Sequence, residues 1–77
     1  MRIYIKQLDG KVKPFECTAG TTIQTLRQQA AEQFSKDLAA ITLVAGGVVL
    51  QDAQTLQDAN VQKDQILYLV YRLPGGY

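Results

Sequence analysis

The chain has no histidine, no tryptophan and a single cysteine among its 77 residues. Without histidine, imidazole metal sites and His-based catalytic triads are excluded. With one thiol, multi-thiolate metal sites and internal disulfides are excluded too. Cys17 suits a reducing compartment, and its place beside Phe15 in an alternating segment marks it as a small buried thiol rather than a reactive one. No apolar run approaches the ~20 residues of a membrane span, and the first residues lack the apolar block of a secretory signal. A cytoplasmic setting without membrane contact is therefore expected. Neither sign of charge prevails: eight Lys and Arg against seven Asp and Glu leave +1, too little to favour nucleic acid. The carboxylates are scattered, with no close pair suited to acid/base work. Ala45-Gly46-Gly47 lacks the spacing and the Lys-Ser/Thr of a phosphate loop. The chain is expected to be no enzyme, with no metal and no cofactor of its own.

What is present describes one small folded domain. The hydrophobic fraction of 47% and the charged fraction of 19% are ordinary for a globular chain and argue against disorder. Met1 to Lys6 alternate, Met1, Ile3 and Ile5 on one face and Arg2, Tyr4 and Lys6 on the other, which predicts a half-buried strand. Asp9-Gly10 supplies a turn, and Val12 to Cys17 return as the second arm of a hairpin. Pro14, one of two prolines, cannot donate a ladder hydrogen bond, so this arm is expected at a sheet edge with the Pro14 nitrogen outward. Lys13 shares the side of Phe15 and Cys17, which requires its stem to pack and its amine to reach solvent.

Thr21 or Thr22 is the expected helix N-cap. Ile23, Leu26, Ala30 and Phe34 then recur at helical spacing, predicting a helix over about 23–34. A polar break at Ser35-Lys36-Asp37 leads to a strand at Ile41 to Ala45. Gly46-Gly47 turn the chain into a short strand at Val48 to Leu50. Leu56 and Val61 anchor a turn-rich stretch to the core. Ile66 to Leu73 is the longest strand, with Leu67, Leu69 and Tyr71 on one face and Ile66, Tyr68, Val70 and Arg72 on the other. One helix on one face of a mixed five-stranded sheet is an α+β roll. If the first and last strands pair in its middle, Pro14 falls at the edge. Residues 1–72 form the domain and 73–77 a flexible C-terminal tail, in which Gly75-Gly76 give a slim backbone that can enter a confined site on another protein.

The sequence resembles the ubiquitin family, without a gap from Met1 to Gly76. The resemblance rests on shared residues such as Met1, Ile3, Lys6, Leu8, Gly10, Lys11, Thr22-Ile23, Leu43, Gly47, Leu50 and Asp52. It rests above all on Thr55-Leu56-Gln57-Asp58-Ala59-Asn60-Val61-Gln62-Lys63, and on Leu67, Leu69-Val70, Arg72-Leu73 and Gly75-Gly76. Many of these are polar or glycine positions that core packing does not dictate. The fold implied is the β-grasp, ubiquitin-like roll. The function implied is that of a protein modifier whose Gly76 carboxylate is adenylated by a separate ATP-using activating enzyme. It then passes as a thioester to a carrier enzyme and ends as an isopeptide-type amide on target proteins. Arg72 and Leu73 are, by resemblance, gripped by the activating enzyme. Tyr77 follows the diglycine, so the chain is expected to be a precursor that a processing or deconjugating peptidase cuts between Gly76 and Tyr77. Pro74 stands where the family has arginine and removes an N–H, which implies a dedicated enzyme set.

By the same resemblance, Leu8, Val44 and Val70 form a partner-binding patch, with Tyr68 where the family has histidine. Val48 and Ile66 extend its apolar area, Tyr68 serves as a flat anchor, and a monomer with weak self-association follows. Lys6, Lys11 and Lys63 match the family's chain-acceptor positions, whereas Arg27, Gln29, Gln33 and Val48 replace lysines there. A solvated surface is the plainer reading of the three lysines. Two other functions compete. A β-grasp sulfur carrier would hold a Gly76 thiocarboxylate, visible as an oxygen-to-sulfur mass exchange. A non-conjugated binding module would work unchanged without Gly76.

Overall fold

The structure, a computed structural model, describes residues 1–71. Expectations resting on Arg72, Leu73, Pro74, Gly75, Gly76 and Tyr77 lie outside the described residues.

Alternation sets the first strand, β1 (Arg2–Gln7), with Ile3 and Ile5 fully buried and Arg2 exposed on the other side. Met1, grouped with those isoleucines by parity, is 39% exposed, because it precedes the strand at the open end of the sheet. Its ammonium donates to the Cys17 carbonyl at 2.6 Å. A turn holding Gly10 at φ +94° reverses the chain into β2 (Val12–Glu16), antiparallel to β1. The terminal bonds of this hairpin join Met1 with Cys17 and Gln7 with Lys11. By the alternation of antiparallel bonding, odd residues face the partner strand and even ones turn outward. The Pro14 nitrogen thus faces away from the sheet, and β2 is its edge.

Thr22 caps the helix α1 (Ile23–Gln33), its hydroxyl accepting from the Thr25 N–H at 3.2 Å. That cap satisfies one of the N–H groups a helix leaves open at its start. Ile23, Leu26, Ala30 and Ala31 lie on the buried face, and Phe34 closes it. The helix ends in a paired 6→1 and 5→2 arrangement: the Lys36 N–H donates to the Ala31 carbonyl at 2.9 Å and the Ser35 N–H to the Glu32 carbonyl at 3.3 Å. Ser35 takes φ +55° to allow it, a conformation in which glycine is usual. The polar break expected here also contains a 3-10 turn, Leu38–Ala40, capped by the Asp37 carboxylate, which accepts from the Ala39 N–H at 3.1 Å.

Strand β3 (Ile41–Ala45) follows as expected. Gly46 and Gly47, at φ +57° and +81°, turn the chain into β4 (Val48–Val49), which stops one residue before the buried Leu50. Leu56 and Val61 are core residues. The final strand β5 (Ile66–Tyr71) runs parallel to β1 and antiparallel to β3. The order β2-β1-β5-β3-β4 puts the two chain-distant strands together in the middle of the sheet. The helix packs on one face over Ile3, Ile5, Leu43, Leu67 and Leu69. This is the mixed five-stranded β-grasp roll that the element order and the resemblance both implied, and among the described residues the opposite face of the sheet carries no helix.

Candidate functional site

The uncovered face is read from the strand register, since residues directly across from each other point the same way. One row crosses the whole sheet: Val12, Lys6, Tyr68, Val44 and Val49 on β2, β1, β5, β3 and β4 in turn. Beside it runs Pro14, Tyr4 and Ile66, and on the other side Val70 with Thr42. Ile66, Tyr68 and Val49 are each 43–45% exposed, while Val44 and Val70 are half-buried. Leu8, in the hairpin turn, is 78% exposed. Arg2 closes one rim, 3.6 Å from Glu16, and Tyr4 and Glu16 together raise its guanidinium pKa further.

This geometry puts four of the six residues predicted for a partner surface, Val44, Ile66, Tyr68 and Val70, on one face, whereas Leu8 stands in the hairpin turn beside Asp9, Lys36 and Tyr71. Val48 does not share that face either. The two-residue glycine loop pairs Ala45 with Val48 and Val44 with Val49, so Val48 takes the side of Ala45 and Val49 takes that of Val44. Position 49 is therefore the residue that belongs in the surface. The loop length alone implies this pairing. Tyr4, Val12 and Pro14 were likewise absent from the predicted surface, and their signal was strand parity: each shares a face with Lys6 or Tyr68.

The lysines predicted as acceptors are dispersed. Lys6 is half-buried within the central row, Lys11 is exposed in the hairpin, and Lys63 is exposed in the loop before β5. They do not form one site.

Arg27, read from the sequence only as a position lacking lysine, holds a clasp. Its Nε and one terminal nitrogen donate to the two Asp52 carboxylate oxygens at 2.8 and 2.9 Å. The other terminal nitrogen donates to the carbonyls of Leu38 and Ile41 at 2.7 and 3.0 Å. One planar group thereby ties α1 to the 3-10 turn, to the start of β3 and to the loop after β4. A lysine, with a single nitrogen, has no such fork.

Lys13 keeps its ammonium at the exposed surface, as expected, and gives it partners there. Its stem packs inward, and the ammonium donates to the Gln33 carbonyl at 2.6 Å and lies 5.3 Å from the Phe34 ring centroid. It satisfies an open carbonyl at the C-terminus of α1, where a cation also complements the helix dipole. Cys17 is buried as expected. Its thiol lies 3.6 Å from the Met1 carbonyl, and burial pushes its pKa above the ordinary thiol value.

Compared with known families, the chain matches the Ubiquitin family over residues 3–74. Among the described residues that span takes in the helix and every strand except for Arg2, the first residue of β1.

Proposed function

The chain belongs to the ubiquitin family, and from that premise we propose that it is a protein modifier, handled by enzymes rather than acting as one. Its reacting group is the Gly76 carboxylate, exposed once a peptidase has removed Tyr77. Adenylation by a separate activating enzyme gives that carboxylate a good leaving group. A cysteine thiolate of the same enzyme then displaces the nucleotide to give a thioester, which a carrier enzyme receives and passes to an amine of the target. The observation that carries this reading is sequence position. Arg72-Leu73-Pro74-Gly75-Gly76 follows in the sequence directly on β5, the last described strand of the family fold.

The uncovered sheet face is the surface by which partners hold the domain while the tail reacts. An apolar area of this kind, rimmed by polar residues, marks an interaction site, and Tyr68 at its centre supplies a large rigid contact.

Expression of the full chain with a matched peptidase, activating enzyme and carrier tests the proposal. Mass spectrometry should record loss of Tyr77 and branched diglycine peptides on targets, and non-reducing gels should show a thiol-sensitive adduct. Gly76→Ala should abolish the targets' adducts. Retention of Tyr77 with no adduct in any fraction would overturn the modifier reading.

A further inference from the structure

The end of the domain from which β5 leads into the tail carries a concentration of positive charge that the overall balance of +1 conceals. Two adjoining concavities, of about 180 and 350 Å³, lie between the β1–β2 hairpin and the C-terminal end of α1. Gln7 lines both. Lys11 and Lys13 border the larger one with Gln33, Phe34 and Ser35, and Lys36 borders the smaller one with Leu8, Asp9 and Tyr71. Together they form an open groove with three ammonium groups along it.

Two of those ammonium groups are held in place. Lys13 is anchored by the Gln33 carbonyl and the Phe34 ring. Lys36 lies 5.3 Å from the Tyr71 ring centroid, in a cation–π geometry. Its backbone is fixed by the helix-terminating bond to Ala31. The carboxylates close by in sequence serve the backbone: Asp9 accepts from the Lys11 N–H at 2.9 Å and Asp37 from the Ala39 N–H at 3.1 Å. Among the described residues the ion pairs are Arg2–Glu16 and Arg27–Asp52, and neither involves a lysine of the groove. Three lysines against the single carboxylate of Asp9, above a floor containing Phe34 and Tyr71, leave the groove lining net positive among the described residues and complementary to an acidic chain.

We propose that this groove docks an acidic, extended segment of the protein partner that engages the tail. The partner rests on the modifier reading, but the groove's preference for an acidic peptide does not. The diglycine begins four residues after Tyr71 in the sequence, and Lys36 stands against Tyr71, so the groove adjoins the last described residue before the tail. An acidic segment flanking the channel of a protein receiving Gly76 would orient the domain and accelerate encounter. This surface is separate from the uncovered sheet face: Lys13 lies on the Phe15 side of β2, with the helix, and the row through Tyr68 and Val44 lies on the other.

The test uses the full 77-residue chain, isotope-labelled for nuclear magnetic resonance, and an eight-residue peptide alternating glutamate with leucine. Amide shifts are expected at Lys11, Lys13, Phe34, Lys36 and Tyr71. Binding should weaken with added salt, as a screened interaction must, and by about tenfold in the double variant Lys11→Glu/Lys36→Glu. Both positions are exposed, and the unbound spectrum verifies that the variant is folded. Lys63→Glu, with the same change of charge in the loop before β5, should bind as the parent does. Shifts centred on Val44 and Tyr68, equal loss in Lys63→Glu, or equally tight binding of an eight-nucleotide single-stranded DNA would each overturn the proposal. Because these readouts need no enzyme, the groove can stand even if Gly76 is never conjugated. Conversely, conjugation of a chain whose groove ignores the peptide would leave the modifier reading intact and remove this one.

Discussion

Arg27 and Cys17 show how far a residue's role depends on what folding brings to it. Arg27 meets Asp52, Leu38 and Ile41, which are 25, 11 and 14 residues away in sequence. No local pattern announces a clasp assembled over those distances. Its side chain is 20% exposed, so removing it leaves partly buried carbonyls and a carboxylate without their donor. Arg27→Ala should therefore cost about 2–3 kcal/mol of stability, read as a lower urea midpoint with an unchanged slope. For Cys17, burial raises the thiol pKa in the folded chain. The unfolded chain then loses the proton first, so stability is fully present below the unfolded thiol's value, about pH 8.5, and is lost as pH rises through the folded one. Urea titrations at successive pH values, compared with Cys17→Ala, should show that alkaline loss only when the thiol is present. Alkylation of the folded chain at pH 8 should also be much slower than in denaturant.

At the scale of elements, termini were harder to read than interiors. The helix interior follows from the spacing of Ile23, Leu26 and Ala30, and the structure selects Thr22 over Thr21 as the cap. The helix end was hidden, because a left-handed residue is usually signalled by glycine and here is Ser35 at φ +55°. That serine bears the steric cost of a side chain in the left-handed region, roughly 1–2 kcal/mol. Part of it is offset by the extra freedom glycine has when unfolded. Ser35→Gly should thus stabilise the chain by up to about 1 kcal/mol, seen as a raised thermal midpoint. Since the same motif places Lys36 beside Tyr71, the element's ending also sets the chemistry of the lysine groove.

For the whole molecule, the decisive feature is a sheet covered, among the described residues, by a helix on one face only. The rows Val12-Lys6-Tyr68-Val44-Val49 and Pro14-Tyr4-Ile66 exist only because five strands, drawn from both ends of the chain, lie side by side. If that face holds partners, Val49→Asp should weaken affinity for the peptidase or carrier about tenfold, as the loss of a central contact does. Val48→Asp, one residue away on the other side of the strand, should change it little. Titration of both variants by calorimetry, with circular dichroism to show retained folding, distinguishes the two positions. Equal effects would mean that register does not govern recognition on this sheet.

Strand parity, the spacing of the helix's apolar residues and the Gly46-Gly47 turn were all fixed by local chemistry. Each depends on backbone geometry within a few residues, so the fold class could be read before any coordinates. What tertiary packing alone decided was which distant groups meet: Arg27 with Asp52, Lys13 with the end of the helix, Lys36 with Tyr71. Those encounters depend on how the hairpin, helix and final strand dock together. They arise from burial of a shared core, which is non-directional and acts on all three elements at once.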